Sequence, residues 1–518
     1  MKETNPAKAA AILKKLGGAP GDCGDEGQFT ILSHQAENLT SEQSMRKILK
    51  YFTDISKEFH PLDVSTLQVR VKVKLLDRAG FTPTIEDYQV YNAIKSTKKS
   101  RSTCVPGDLP KKLIKEYSVE LAKPVAMLFR SILKSNKWPS KWTIEHVLAL
   151  KKVKVPENES DLRIISLTAF WSKCLEGFIL DWLLKEIGHK IDISQYGGLK
   201  GQSTSHYMID LVNFVLYNQD ITNPHATLEN MYDFSKAFNR QEHNKLIKIL
   251  SDMGCPGWVL KLVMAFLEER RMTLKYRGCI SEEEPLPGGG PAGTKLGLFL
   301  FLVLINKAGY KQSELCTNVA EQMTKPKRKP IKKTQQKYVY DMTQCVAVNL
   351  KEVTKKNPNQ TSDLPRQYHE RTGHVLPAEY NYIQHEVDKL KRYAKENKMV
   401  INESKTKIMV FNEARSVDIL PKVMLNDENT VEVVEEMKLL GLMVNSDRTW
   451  HKNTQHIISK GFQRMWLIRN LKKYGANNKL LLEAYVQQIR SITEMACPVW
   501  NGALTQQEER AIERIQRT

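Results

Sequence analysis

The pattern of apolar and polar residues around position 233 predicts a strand followed by a helix. The partly apolar run Ala226–Tyr232 has the length of a short strand. Behind it, five apolar residues fall on one face of a predicted helix: Leu246, Ile247, Ile249, Leu250 and Met253. Gly254 stands where that helix would end. Asp233, between the two elements, is therefore placed to hold a cation or to act as a base, although an exposed helix-capping Asp is the simpler alternative.

Two strands nearer the N-terminus each carry basic residues. Val147–Leu150 predicts a strand that ends in Lys151 and Lys152, and Leu162–Leu167 predicts a second strand that contains Arg163. The planar fork of Arg pairs with two oxygens at once, whereas Lys acts as a point charge. The predicted hairpin therefore suits phosphates, and an ordinary hairpin with solvated basic side chains is the alternative.

Two glycine-rich loops precede further helices. Gln195–Thr204 opens a helix with Ser and Thr near its cap, and its backbone can approach a phosphate chain closely. It lacks the spacing of a P-loop, so ATP hydrolysis is not indicated. The second loop, Pro287–Thr294, contains three consecutive glycines and leads into the apolar helix Leu296–Ile305. It predicts a tight turn where another backbone or a flat base passes, with a flexible loop as the alternative.

The C-terminal half alternates polar loops with short strands and helices. Polar residues dominate 311–336, which includes the basic run Lys325–Lys333, and also 355–378. Between these loops, Lys337–Thr343 predicts a strand and a tight turn, with a return strand through Val346. Beyond them the pattern predicts a helix from Tyr380 to Asn397, strands Ile408–Phe411, Val431–Val434 and Leu439–Val444, and helices Thr454–Lys472, Asn478–Met495 and one opened by a Thr505 and Glu508 capping box.

Composition narrows the class of partner and the compartment. The 518 residues allow about two to four domains, and 78 Lys and Arg against 58 Asp and Glu give a net charge of +20. This surplus indicates nucleic acid rather than a membrane as the partner, because no basic amphipathic anchor stands out. The eight cysteines form no C-x-x-C pair, and neither a signal peptide nor an apolar run of bilayer length is apparent. We expect an intracellular protein of the nucleus, the cytoplasm or both.

The order of these pieces resembles the reverse transcriptase domain of non-LTR (LINE-type) retrotransposons, over residues of about 100–518. Met231–Arg240 is similar to the first palm motif of that family, and Tyr338–Asp341 occupies the place of its [FY]-x-D-D hairpin. Further similarities follow in the family's order: Arg163–Leu167 resembles R-P-I-S-L, Gln195–Thr204 resembles Q-x-G-F-x-x-G-x-S-T, Gly290–Thr294 resembles G-x-P-Q-G-[ST], Lys405–Lys407 resembles the fourth palm motif, and Leu439–Gly441 resembles the primer-holding one.

The resemblance implies an α+β fold arranged as a right-hand polymerase, with fingers, a ferredoxin-like palm and a helical thumb. The implied domains are an N-terminal helical extension (1–95), fingers (96–225), a palm (226–445) with polar insertions at 311–336 and 355–378, and a thumb (446–518) that looks truncated. The implied partners are an RNA template, a DNA primer and deoxynucleoside triphosphates, with no membrane. No endonuclease is indicated in the leading residues.

The resemblance also implies a two-metal active site. Asp233 and Asp341, with the backbone carbonyl of Phe234, would bind two Mg²⁺ ions that activate the primer 3′-hydroxyl and steady the leaving pyrophosphate. Lys405 would lie near that pyrophosphate as a proton donor. These assignments come from the family and not from the spacing of the residues.

Other residues would bind the incoming nucleotide. Lys152 (or Lys151) and Arg163 would hold the triphosphate, and Phe238 would exclude a ribose 2′-hydroxyl and so select deoxynucleotides. The glycine-rich turn would line the same site through four residues: Gly290, Pro291, Ala292 and Gly293. A plain core position is the alternative for Phe238.

The chain departs from the family at its catalytic hairpin. Tyr340 replaces the first Asp of Y-x-D-D, and a phenol with a pKa of about 10 is neutral at pH 7 and a poor Mg²⁺ ligand. Because side chains alternate along a strand, Asp341 is expected to point to the side of the strand opposite to that of residue 340. Ala292 and Ile164 replace a Gln and a Pro of the family. Loss of one shared metal ligand costs on the order of 10³-fold in rate. We therefore expect either an impaired polymerase or an inactive protein that binds the template.

Overall fold

The computed structural model describes residues 41–64, 83–97, 105, 107–153, 156–220, 225–276, 279–309, 331–349, 378–411, 423–426 and 429–517. These residues form mixed helical and strand structure, which confirms the predicted α+β class. They divide into two compact units: the first unit comprises residues 192–235 and 307–517, and the second unit comprises 41–191 and 236–306. The boundaries of fingers, palm and thumb remain predictions.

Most of the predicted helices are found near their predicted positions, and the structure also contains helices that the pattern did not predict. In chain order they are α1 (Ser41–Asp54), α2 (Asp87–Ser96), α3 (Lys111–Glu116), α4 (Ser118–Ser135), α5 (Phe170–Ile187), α6 (Thr204–Gln219), α7 (His243–Asp252), α8 (Gly257–Leu267), α9 (Lys295–Leu304), α10 (Ala378–Glu396), α11 (His451–Lys473), α12 (Asn478–Tyr485), α13 (Ser491–Thr493), α14 (Cys497–Trp500) and α15 (Gln506–Arg517). No helix in this part of the chain has both the length and the apolar composition to cross a membrane.

The strands follow the same chain order. They are β1 (Ile144–Lys151), β2 (Leu162–Leu167), β3 (His225–Ser235), β4 (Arg271–Tyr276), β5 (Cys279–Ile280), β6 (Glu284–Pro285), β7 (Lys333–Tyr338), β8 (Asp341–Asn349), β9 (Val400–Ile401), β10 (Lys407–Phe411), β11 (Glu432–Val434), β12 (Glu436–Leu439) and β13 (Leu442–Asn445).

The first unit is built on a sheet in the order β11-β10-β3-β8-β7, with β9 paired to β3. The central strand β3 runs antiparallel to both β10 and β8. One face of the sheet is buried against α6, where Tyr207, Leu211 and Phe214 pack in one core with Met231 and Cys345. Burying such side chains contributes roughly 1.5–3 kcal/mol each, so this packing holds β3 in register.

The β7–β8 hairpin starts earlier than the sequence predicts. Its first strand begins at Lys333, inside the stretch 311–336 that was expected to be a polar loop. Gln335 and Lys337 are buried there because their side chains reach Asp192 at 3.1 and 2.6 Å. A polar strand can be buried when its side chains are paired, and periodicity does not reveal such partners.

The second unit is built on a sheet in the order β2-β1-β4-β5, with β6 paired to β4. The predicted basic hairpin is confirmed, since β1 and β2 pair antiparallel, and β1 pairs parallel to β4 on its other side. Val147 and Met272 of this sheet pack in one core with Ile48 and Phe52 of α1. The apolar stripe of α1 therefore covers one face of the sheet.

The predicted end of one helix is confirmed, and the prediction of one strand is wrong. Helix α7 buries Leu246 and Leu250, and Gly254 follows it with φ +75°, as predicted. The prediction of one strand over Leu439–Val444 is wrong. Leu440 and Gly441 take φ of +45° and +97° there and form a turn between β12 and β13. Residues 310–330 and 350–377, which hold most of the two predicted polar insertions, lie outside the described residues.

Candidate active site

Two carboxylates meet where β3 and β8 pair next to the hairpin turn. Asp233 and Asp341 are direct partners in the antiparallel register, so their side chains project from the same face of the sheet. The Asp233 side chain is 14% exposed. Burial, followed by the charge of Asp233, raises the pKa of the Asp341 carboxyl to about 6, while Lys405 opposes the shift. The pair therefore forms a partly desolvated acidic site.

The turn that follows β9 brings two donors to this site. Lys405 Nζ lies 3.0 Å from Asp233 Oδ2, and Asn402 Nδ2 donates to the same oxygen at 3.2 Å. The backbone N–H of Asn402 also donates to the backbone carbonyl of Asp233 at 2.7 Å. The structure thus brings together Asp233, Asp341 and Lys405, which the motifs singled out separately. Sequence reasoning missed Asn402, whose position three residues before Lys405 at the start of a turn was the available signal.

The prediction that Asp341 points to the opposite side of the strand is wrong. Val339 and Tyr340 form a two-residue turn, and Asp341 is the first residue of β8. Side-chain alternation does not continue through such a turn, so the register with β3 decides the direction instead. Tyr340 is partly exposed within the turn.

The donor set fits a magnesium ion that is held through few protein ligands. Mg²⁺ in nucleotide-processing sites is commonly bound by one or two carboxylates together with substrate phosphates and water. Asp233 and Asp341 supply two carboxylates, and Tyr340 supplies none. Within the described residues, no group of three or more His, Cys, Asp and Glu side chains is arranged to hold a metal. Phe234 pairs with Ile401 of β9, and its carbonyl as a metal ligand stays a prediction.

In the second unit, three of the predicted nucleotide-binding residues line one recess. Phe238, Gly290 and Ala292 meet there, together with Ile164 of β2. The N–H of Gly290 donates to the Phe238 carbonyl at 2.8 Å, and the ring of Phe238 lies 5.4 Å from that of Phe301. The side chain of Phe238 therefore lines the recess and packs against Phe301. It is only partly buried.

The triple glycine forms a tight turn against another backbone, as predicted. Gly289 has φ +88°, and its N–H donates to the Gln241 carbonyl at 2.8 Å. A Cβ at Gly290 would lie 2.8 Å from Gln241 Nε2, so only glycine fits without a shift. His243 Nε2 lies 2.6 Å from the Gly289 carbonyl, and burial lowers the pKa of His243 to about 4. The neutral ring therefore donates this hydrogen bond at pH 7.

The remaining predicted residues lie outside the lining of the recess. Lys152 is exposed and its Nζ donates to the Ser160 carbonyl at 2.7 Å, while Arg163 is exposed on β2. Pro291 accepts a hydrogen bond from Thr294 Oγ1 at 3.2 Å, which caps α9, and Gly293 has φ +96°. Their contacts to a nucleotide stay predictions. Sequence reasoning missed Gln241 and His243, because each acts through a contact to a loop some 46 to 49 residues away.

Part of the chain is similar to curated proteins of Drosophila mobile elements. The chain is 29% identical to the RNA-directed DNA polymerase from mobile element jockey of Drosophila melanogaster over 182 residues, which are 35% of this chain and 20% of that protein. It is 25% identical over 218 residues to the probable RNA-directed DNA polymerase from transposon BS of the same species, over 42% of this chain and 24% of that protein. Part of the chain is therefore homologous, at low identity, to RNA-directed DNA polymerases of Drosophila mobile elements.

The homology confirms the resemblance that the motifs indicated. The jockey polymerase of Drosophila funebris is similar as well, at 26% identity over 182 residues. No protein-family model matches the chain. The matched part of the chain spans only 20 to 24% of the length of those relatives.

Proposed function

We propose that the chain is the RNA-directed DNA polymerase module of a non-LTR retrotransposon, with its activity impaired at Tyr340. One observation carries the proposal: Asp233 and Asp341 are direct cross-strand partners, and Lys405 Nζ lies 3.0 Å from Asp233. The printed names of the relatives, all RNA-directed DNA polymerases, support the same function. The substrates of this module are an RNA template, a DNA primer and deoxynucleoside triphosphates.

The proposed architecture is a right hand with fingers (96–225), a ferredoxin-like palm (226–445) and a helical thumb (446–518). The mixed α+β composition and the antiparallel sheet around β3 are compatible with such a palm. The net charge of +20 supports a nucleic-acid partner, because phosphate neutralisation by Lys and Arg drives such binding. A protein of this function works in the nucleus, the cytoplasm or both.

In this proposal, Asp233 and Asp341, with the Phe234 carbonyl, would hold Mg²⁺. When bound, the metal supplies Lewis-acid activation of the primer 3′-hydroxyl and neutralises charge on the phosphates. In the same proposal Lys405, whose Nζ lies 3.0 Å from Asp233 Oδ2, donates a proton to the leaving pyrophosphate. Phe238, braced by Phe301, excludes a 2′-hydroxyl, and Lys152 and Arg163 neutralise the triphosphate.

The impairment follows from the chemistry of position 340. The family places a carboxylate where Tyr340 stands, and a neutral phenol does not replace it as a Mg²⁺ ligand at pH 7. The two remaining carboxylates carry less negative charge, and Lys405 already offsets part of it. A loss on the order of 10³-fold in rate follows from removing one shared ligand.

A second function, an inactive protein that binds template RNA, has one specific observation in its favour. Asp233 already accepts hydrogen bonds from Lys405 and Asn402 on one oxygen. Both donors belong to the chain itself, so this oxygen is hydrogen-bonded from within the protein. Both functions use the net positive charge of the chain, and they differ in chemistry at Tyr340.

Primer extension on an RNA template separates the two functions. We expect Tyr340→Asp to extend the primer about 10³-fold faster than the natural chain, and Asp233→Asn in that background to abolish extension. Tyr474→Asp, at an exposed tyrosine of the first unit, controls for the added negative charge. Equal extension by the natural chain and Tyr340→Asp would disprove the impairment. Template binding without extension by any variant would favour the inactive binding protein.

A further inference from the structure

The start of the glycine-rich loop Gln195–Thr204 packs beside the catalytic hairpin. The N–H of Tyr196 donates to the Lys337 carbonyl at 2.8 Å, and the N–H of Lys337 donates to the Ser194 carbonyl at 2.8 Å. Gln195 and Lys337 form a parallel bridge. A buried ion pair of 2.6 Å between Lys337 Nζ and Asp192 Oδ2 anchors this segment to β7. The segment therefore extends the edge of the sheet as far as the hairpin turn.

At that turn, the hydrogen bond to the hairpin is made by the side chain of Gln195 and no longer by the backbone. Its Oε1 accepts the N–H of Val339 at 3.0 Å and the N–H of Gly197, also at 3.0 Å. Gln195 is 2% exposed, so water does not compete for this oxygen. A Cβ at Gly197 would lie 2.7 Å from Val339 N, so the glycine lets the loop come this close.

Val339 needs such support because its backbone is strained. It has φ +59°, in the left-handed region that a two-residue hairpin turn requires at its first position. A β-branched side chain is the least suited to that region. Among the described residues other than glycine with positive φ, Val339 is the only β-branched one. The conformation therefore persists only where the surroundings hold it.

We propose that Gln195 is a positioning residue, whose carboxamide oxygen holds Val339 in the left-handed conformation and so sets Asp341 opposite Asp233. The oxygen is the right acceptor for this task, because it binds the strained residue and the neighbouring loop at once. The catalytic relevance of this clamp rests on the proposed polymerase function. The clamp itself is a property of the fold.

Hydrogen exchange of the hairpin peptide 333–349 tests the clamp in the full chain. Gln195→Met keeps the length of the side chain and removes the acceptor, and we expect about tenfold faster exchange next to the turn. Val339→Gly in that background is expected to restore protection to within about threefold, because glycine adopts positive φ without support. Gln202→Met, at an exposed position of the same loop, is the matched control.

Two results would overturn the proposal: unchanged exchange in Gln195→Met, or faster exchange that Val339→Gly does not reverse. The second result is the one expected if Gln195 only supports its own loop. Should Gln195→Met not fold, Val339→Gly in the natural chain is the second variant. It removes the backbone strain and must leave the hairpin at least as protected as in the natural chain, and a loss of protection would also overturn the clamp. Primer extension in the Tyr340→Asp background is a separate measurement, and its absence counts against the polymerase function while exchange decides the clamp.

Discussion

A buried glutamate in each of the two units meets a different environment. In the second unit, Glu145 accepts hydrogen bonds from Arg270 Nε and from Ser166 Oγ, each at 3.0 Å. Arg270 in turn donates to the Phe266 carbonyl at 3.0 Å. Both charged residues are 2% exposed. The charge of Glu145 is therefore buried together with its complement.

In the first unit, Glu229 lies at the centre of the sheet, between Met409 of β10 and Cys345 of β8. Neither of its carboxyl oxygens has a hydrogen-bond partner among the described residues. Burial raises the pKa of Glu229 to about 8, so the acid is mostly protonated at pH 7. Glu229 also shares its strand face with Asp233, four residues on. Burial therefore keeps Glu229 neutral, whereas Glu145 keeps its charge beside Arg270.

Breaking the paired charge is expected to have the largest effect. Arg270→Met leaves Glu145 buried and uncompensated, which costs about 3–5 kcal/mol of unfolding free energy. Urea unfolding at pH 7 measures this loss. Arg271→Met is the matched control, because its ion pair with Glu283 at 3.1 Å is exposed and contributes only about 0–1 kcal/mol. Similar losses of unfolding free energy in the two variants would refute the idea that the buried ion pair matters more than the exposed one.

The buried Glu229 is expected to make the free energy of unfolding depend on pH, with lower stability at higher pH. The pKa of Glu229 is about 8 in the folded chain and near 4.5 when unfolded, so its contribution is fully present below pH 4.5 and is lost as the pH rises to 8. The natural chain should lose about 1.4 kcal/mol per pH unit in that window relative to Glu229→Gln. Unfolding at several pH values tests this, with exposed Glu435→Gln as the control. A constant difference between the two chains would contradict a buried neutral acid.

The smallest effect concerns a buried amide of the second unit. Gln241 is fully buried, and neither atom of its amide has a side-chain hydrogen-bond partner among the described residues. Gln241→Leu removes this uncompensated amide and is expected to raise the unfolding free energy by about 1–3 kcal/mol. Thermal unfolding measures the gain, and Gln43→Leu on exposed α1 controls for added apolar surface. Destabilisation by Gln241→Leu would mean that the amide is hydrogen-bonded in the folded chain.

Much of the fold was predictable because its signals are local. The strand β3, the helix α7 with Gly254 behind it, and the β1–β2 hairpin all follow from apolar periodicity and turn residues within short windows. The motifs also identified Asp233 and Lys405 before any distance was known. The start of β7 was missed, because its polar residues become strand-like only when distant partners bury and pair them.

The amino-acid sequence by itself determined the local elements, the basic charge and the family to which the chain is related. Only the tertiary structure decided that Asp341 faces Asp233, because the register between β3 and β8 joins residues 108 positions apart. It also decided that Gln195 supports Val339, a contact across 144 residues. Such contacts depend on how strands align and which side chains are desolvated together, and neither property is encoded in the spacing of nearby residues.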